Sequence, residues 1–169
     1  MNNKDFNEKI FEDIVIKYPE LIEDGLVLKG RQVNVKGKRV DLLFEDIHRQ
    51  RLIVELKVGP IKRDHTGQAL DYLGYFLSPD EPTVRVMLVG NRVPHNWRNV
   101  LDHYGIEWKE ITVSGLIDFL KKKNDTEFLK YSPTEDQVVL INPSTSDTPK
   151  APEGEESISM DRPDTEDVP

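Results

Sequence analysis

Three side chains in the first third of the chain have types and spacing suited to hydrolytic chemistry: Asp41, followed by Glu55 and Lys57. Each acid interrupts an otherwise apolar run, Val40-Asp41-Leu42-Leu43-Phe44 and Leu52-Ile53-Val54-Glu55-Leu56. A carboxylate inside a buried strand is costly unless something pairs with it. Strands have a period of two, so Lys57 projects from the same face as Glu55. Two carboxylates and one ammonium in one pocket form a donor set that holds a hard divalent cation through oxygen while the lysine orients an attacking water. The bland alternative leaves Asp41 and Glu55 exposed at strand ends, with Lys57 as an ordinary ion-pair partner. The order Asp, then Glu-x-Lys, favours a shared site. Gln68 and Tyr72, four apart on a following helix, share one face that closes over the same pocket. Taken singly, a core Tyr72 and a solvated Gln68 are equally ordinary roles.

The elements that must position these groups read as αβββαβαβα. Phe6, Ile10, Phe11, Ile14 and Val15 recur at helical spacing until Pro19 stops the pattern. Short segments rich in Val, Leu and Ile over 26–35, 39–45 and 52–58 are parted by turn formers such as Lys36-Gly37 and predict three consecutive strands. The nearly continuous apolar runs of the second and third belong to a sheet buried on both faces. A helix follows, with Gln68, Ala69, Tyr72, Leu73 and Phe76 on related faces. A fourth strand over 84–90 leads to a helix over 94–104, with Gly105 as its C-cap. A fifth strand over 106–113 precedes a last helix over 114–123, capped by Ser114. A further strand at 138–141 is an option.

The chain has 169 residues and carries a net charge of −8. The segment 142–169 holds eight acids, two bases, five prolines and only four apolar residues. It therefore accounts for −6 of the charge and is expected to be a disordered acidic tail, because it cannot bury enough surface to offset its ordering entropy. The folded domain is expected over 1–131, with 132–141 as an extension. An acidic chain therefore does not argue against nucleic acid. The absence of cysteine excludes disulfides, thiolate nucleophiles and iron–sulfur clusters, and the four histidines lack paired metal-ligand spacing. No apolar run approaches a membrane span, and the polar start is neither a signal nor a transit peptide, so a soluble, cytoplasmic protein without membrane contact is expected.

Taken together, Val40-Asp41-Leu42-Leu43-Phe44, Val54-Glu55-Leu56-Lys57 and Gln68-x-x-x-Tyr72 resemble the PD-(D/E)XK restriction-endonuclease-like superfamily. More narrowly, they are similar to the C-terminal nuclease domain of the NucS (EndoMS) endonucleases. The resemblance covers roughly residues 7–119, including Pro19-Glu20-Leu21-Ile22-Glu23-x-Gly25-Leu26 and Tyr104-Gly105-Ile106. It implies an α/β restriction-endonuclease-like fold with a central mixed sheet of five strands flanked by helices. It further implies a catalytic and metal site made of Glu8, Asp41, Glu55 and Lys57. Leu56 would lend a backbone carbonyl to the metal, with Gln68 and Tyr72 beside the site as supporting or phosphate-contacting groups. Glu12, one turn beyond Glu8 on the same face, is the alternative first-helix acid. Members of that family carry an N-terminal domain for dimerisation and DNA binding, whereas this sequence begins near the nuclease-like part, so mismatch specificity does not transfer.

The expected activity is Mg²⁺- or Mn²⁺-dependent hydrolysis of DNA phosphodiester bonds, in repair, defence or mobile-element processing. A catalytically silent nucleic-acid-binding or scaffold subunit within a larger complex is the alternative. Ten bases against four acids over 29–63 give a local net charge of +6, which marks Lys29, Arg31, Lys36, Lys38, Arg39, Lys62 and Arg63 as a phosphate-tracking surface. Lysine-rich strand edges that discourage aggregation are the competing explanation. Trp97 and Arg98 are candidates to stack on a base or pair with phosphate, against a role for Trp97 in the core. Expected partners are DNA and either a second copy of the chain or a larger assembly.

Overall fold

The computed structural model describes residues 5–35, 37–77, 79, 83–133 and 138. Lys36, residues 139–141 of the optional further strand, and the acidic tail lie outside the described residues. Asn7 accepts a hydrogen bond from the Ile10 amide and caps α1 (Glu8–Lys17), whose Phe11, Ile14 and Val15 are buried. A single 3₁₀ turn at Pro19–Leu21 follows. Five strands come next in the chain, β1 (Val27–Val35), β2 (Lys38–Glu45), β3 (Arg51–Pro60), β4 (Arg85–Arg92) and β5 (Glu107–Glu110). They form one sheet in the order β1-β2-β3-β4-β5. Pairing is antiparallel from β1 to β3 and parallel from β3 to β5, so the sheet is mixed.

Helices cover both faces. On one, α1 and α4 (Val113–Lys122) bury Phe11, Val15, Leu116 and Leu120 against Leu52, Val54 and Leu56 of β3. On the other, α2 (Arg63–Phe76) and α3 (His95–His103) bury Ala69, Tyr72, Phe76 and Leu101 against Ile53, Val86 and Leu88. Truncating such a side chain, Phe11→Ala for example, costs about 3–5 kcal/mol and would loosen α1 from the sheet. Glu55 and Lys57 continue the Ile53 row toward α2.

Three expectations are corrected. The β2 strand is buried on both faces only in part: Leu42 and Phe44 join the core under α1 and α4 and Val40 the core under α2 and α3, while Asp41, Leu43 and Glu45 are half-exposed. The fifth strand ends at Glu110, and Val113 turns inward as the first residue of α4. The cap of α4 is therefore Thr112, whose hydroxyl accepts from the Gly115 amide, rather than Ser114. A short α5 (Thr126–Leu129) follows, capped by Asp125, which also takes Lys17 and Tyr18 and ties the end of the domain to α1. Among the described residues no helix is long and apolar enough to cross a membrane.

Candidate active site

The ladder between β2 and β3 runs from Glu45 opposite Arg51 to Leu42 opposite Val54, and stops. The next pair in that register would set Asp41 against Glu55. Like charges directly opposite one another are destabilising, and here the strands part. The Leu56 amide, released from the ladder, donates instead to Asp41 Oδ2 at 2.9 Å. On β3, Glu55 Oε1 accepts Lys57 Nζ at 2.8 Å and Gln68 Nε2 at 2.7 Å. Glu55 is only 2% exposed. Lys57 is held in place from behind, where β3 bulges before Pro60: Gly59 takes φ +98° and gives its amide to the buried Asn91, which in turn donates to the Ile111 carbonyl.

Burial, and after it the Asp41 charge, pushes the Glu55 carboxyl up, with Lys57 and Tyr72 pulling against them. Burial lowers Lys57, but the bond to Glu55 and the neighbouring Glu8 and Asp41 outweigh it and leave the ammonium raised. The site is thus two crowded carboxylates with one firmly charged lysine. Tyr72 is 2% exposed, and burial followed by the Glu55 charge pushes its hydroxyl up to about 12. That hydroxyl lies 2.7 Å from the Arg39 carbonyl and 3.3 Å from Glu55 Oε2, the two acceptors for its proton, and accepts from Gln68 at 2.7 Å. Tyr72 thus joins β2 to the Glu55 carboxylate from beneath the site.

A cleft of 540 Å³ opens over this point. Its acids are Glu8, Glu12, Asp41 and Glu55, and Lys9, Arg31, Arg39, Gln32 and Gln68 complete the wall. Glu8 is exposed and meets the site through Lys57, 3.9 Å away. Glu12 is buried and receives Arg31 Nε at 2.7 Å and Gln32 Nε2 at 2.6 Å. Among the described residues, no three Asp, Glu or His side chains come together with metal-holding geometry. A pair of carboxylates still suits Mg²⁺, which is commonly held by one or two of them with several waters retained. The chemistry of the donors therefore fits a hard divalent cation.

The basic residues divide. Arg39 lines the cleft and has no ion-pair partner among the described residues. Arg31 also lines it but is bound by Glu12 and Asp13. Lys38 pairs with Asp71 at 3.2 Å, and Lys29 with Glu45 at 3.1 Å, outside the cleft. The sequence could not show these pairings, which join residues distant along the chain. Lys62 precedes α2 and is not part of the cleft wall. Arg63 lies with Trp97 and Tyr104 in a neighbouring groove of 740 Å³ between α2 and α3, which shares Gln68 with the cleft. Arg98 is not free for phosphate: it bonds the Val93 carbonyl and Glu110 and lies over the Trp108 ring. Gln32 and Asn91 gave no signal in the sequence, since a lone amide in a strand looks like any half-exposed polar residue.

A curated relative, Endonuclease NucS of Methanopyrus kandleri, is 28% identical over 125 residues, 73% of this chain and 48% of that protein. The chain thus spans about half the length of that relative. A solved EndoMS–dsDNA complex superposes with a TM-score of 0.59 at 21% identity, covering 63% of this chain and 44% of that one. A repair endonuclease from Pyrococcus abyssi gives a TM-score of 0.59 at 19% identity, over 64% and 48% of the two chains. At such identities the likeness speaks to the fold. The family model described as the Endonuclease NucS C-terminal domain matches residues 7–130. That span takes in the whole sheet and every acid of the cleft, and the chain belongs to the family of Endonuclease NucS C-terminal domains.

Proposed function

We propose that the chain is a divalent-cation-dependent DNA endonuclease that hydrolyses phosphodiester bonds in the cleft beside β2 and β3. The observation that carries this reading is the pair Asp41 and Glu55, brought into one cleft just past the last β2–β3 ladder pair, with Lys57 bonded to Glu55. Membership of a nuclease family supports it. Asp41 and Glu55 would hold Mg²⁺ or Mn²⁺ together with the Leu56 carbonyl, with Glu8 or Glu12 as the α1 acid. When bound, the cation neutralises charge at the scissile phosphate and makes water acidic enough to attack at neutral pH. Lys57, kept charged by Glu55, orients that water. Gln68 fixes the Glu55 carboxylate, and Tyr72 fixes β2 through the Arg39 carbonyl, leaving the Arg39 guanidinium to meet the phosphate backbone.

A partner-dependent form of this reading is favoured by one feature: Lys29, Arg31 and Lys38 are all turned to acids of the chain itself. Of the bases that line the cleft this leaves Lys9 and Arg39 for DNA, so a second copy or another protein would supply further contacts. The test is cleavage of a labelled panel of single-stranded, duplex, flap, mismatched and RNA substrates with Mg²⁺ or Mn²⁺, wild type against Asp41→Ala and Glu55→Ala. Cleavage lost in both variants supports the proposal. Cation binding without cleavage selects the partner-dependent form, and neither binding nor cleavage refutes the enzyme.

A further inference from the structure

Gln32 stands in the middle of β1 with φ +49°, a left-handed conformation that a non-glycine residue seldom adopts. The register, with Arg31 opposite Leu42 and Val33 opposite Val40, sets it across from Asp41. Asp41 is thus flanked by Gln32 on one neighbouring strand and Glu55 on the other. The Gln32 amide nitrogen lies 2.6 Å from Glu12 Oε1 and 3.1 Å from Asp41 Oδ1. A side-chain amide has two N–H donors, and this arrangement gives one to each carboxylate. Strained backbone persists where the surroundings over-determine it. Glycine would take this φ without strain, so what residue 32 contributes is its amide.

We infer that Gln32 is a positioning residue for the proposed site: its amide ties the α1 carboxylate of Glu12 to the strand carboxylate of Asp41 and fixes how both face an arriving cation. The inference rests on the reading of Asp41 as a cation ligand. Asp41 is then held at both oxygens, Oδ2 by the Leu56 amide and Oδ1 by Gln32, so its carboxylate keeps one orientation. Outer partners of this kind orient ligating groups and set their affinity. The same link selects Glu12 as the α1 acid joined to Asp41, because Glu8 is exposed and its ion-pair partner among the described residues is Lys57. Arg31, bound to the far oxygen of Glu12, holds the other end of the chain of contacts.

Two substitutions separate the amide from the strain. Gln32→Gly removes the amide and relieves the backbone, whereas Gln32→Met removes the amide and keeps the volume and the strain. For the full chain, three quantities are measured: Mn²⁺ affinity by calorimetry, the Mg²⁺ concentration that half-saturates cleavage, and Tm without metal. Both variants are expected to bind Mn²⁺ more weakly, and to need more Mg²⁺, by about 10- to 100-fold. This loss is shared even though the glycine variant melts above the methionine variant. Wild-type cation affinity in both variants would overturn the inference, as would a loss that follows Tm. Wild type that neither binds Mn²⁺ nor cleaves would remove the site reading and this inference with it. Binding by wild type that is untouched by either change sinks the inference alone.

Discussion

Replacing Lys57 by methionine keeps the length of the stem and removes the one cation bonded to Glu55. Glu55 is 2% exposed, and the Lys57 side chain retains 15%. Breaking a fully buried ion pair from one side costs about 3–5 kcal/mol. The partial exposure of Lys57 brings the expected loss to about 2–3 kcal/mol, since water reaches the ammonium end of the pair. At about 4 °C per kcal/mol for a domain of this size, Tm should fall by about 10 °C at neutral pH. The loss depends on pH in a fixed sense. Burial and Asp41 already raise the Glu55 carboxyl, and without Lys57 it rises further. A group raised in the folded state is no burden below its unfolded value, where both states hold the proton, and stability is lost as pH climbs toward the folded value. The gap between wild type and Lys57→Met should therefore be narrower at pH 5 than at pH 8. A divalent cation supplies the missing positive charge, and 100-fold excess over its Kd adds about 2.7 kcal/mol to the folded state. Millimolar Mg²⁺ should thus restore most of the Tm of the variant without restoring cleavage. Scanning fluorimetry at both pH values, with and without Mg²⁺, reads all of this. A gap that is the same at pH 5 and pH 8, or a variant Tm that Mg²⁺ leaves unchanged, would refute the reasoning.

Tyr72→Phe strips the Arg39 carbonyl and one Gln68 donor of their buried partner, so urea titration should show a loss of about 1–3 kcal/mol. Its cleavage should slow by less than that of Lys57→Met. Arg39→Ala should weaken DNA binding and lower the slope of log affinity against log salt by about one, while Lys29→Ala, a residue bound to Glu45 outside the cleft, should leave both unchanged in a fluorescence anisotropy series. Arg85 binds Glu23, Asp46 and Glu107 at the far end of β4. The Arg85 bond holds the Glu23 carboxyl low, and backbone amides with Arg85 hold Asp46 low against the effect of burial. Groups lowered in the folded state stabilise it above their unfolded values and lose that effect as pH falls. The Tm deficit of Arg85→Ala should therefore be large at pH 7 and shrink toward pH 3, with cleavage below its Tm retained.

The sheet and the strand pair of acids were legible because Asp41 and Glu55 break apolar runs, and a buried carboxylate demands a reason. Period two then placed Lys57 beside Glu55, and helical spacing placed Gln68 and Tyr72 on one face. What was not legible depends on contacts between distant segments. Arg31 looks free for phosphate until α1 brings Glu12 and Asp13 against it, and Lys38 until α2 brings Asp71. Gln32 shows its place only once the β1–β2 register sets it across from Asp41. The early start of α4 follows from Val113, whose burial in the first helical turn outcompetes its strand-like sequence.

The central claim is that Asp41 and Glu55 support cation-dependent cutting within a DNA strand, and covalently closed circles, which offer no ends, test it most directly. Incubated with Mg²⁺, wild type should nick or linearise circular DNA, single-stranded or duplex, and should leave it intact in EDTA. Glu55→Ala, checked for folding by circular dichroism, should leave it intact in both. Circles cut equally well in EDTA, or by Glu55→Ala as by wild type, would contradict the account.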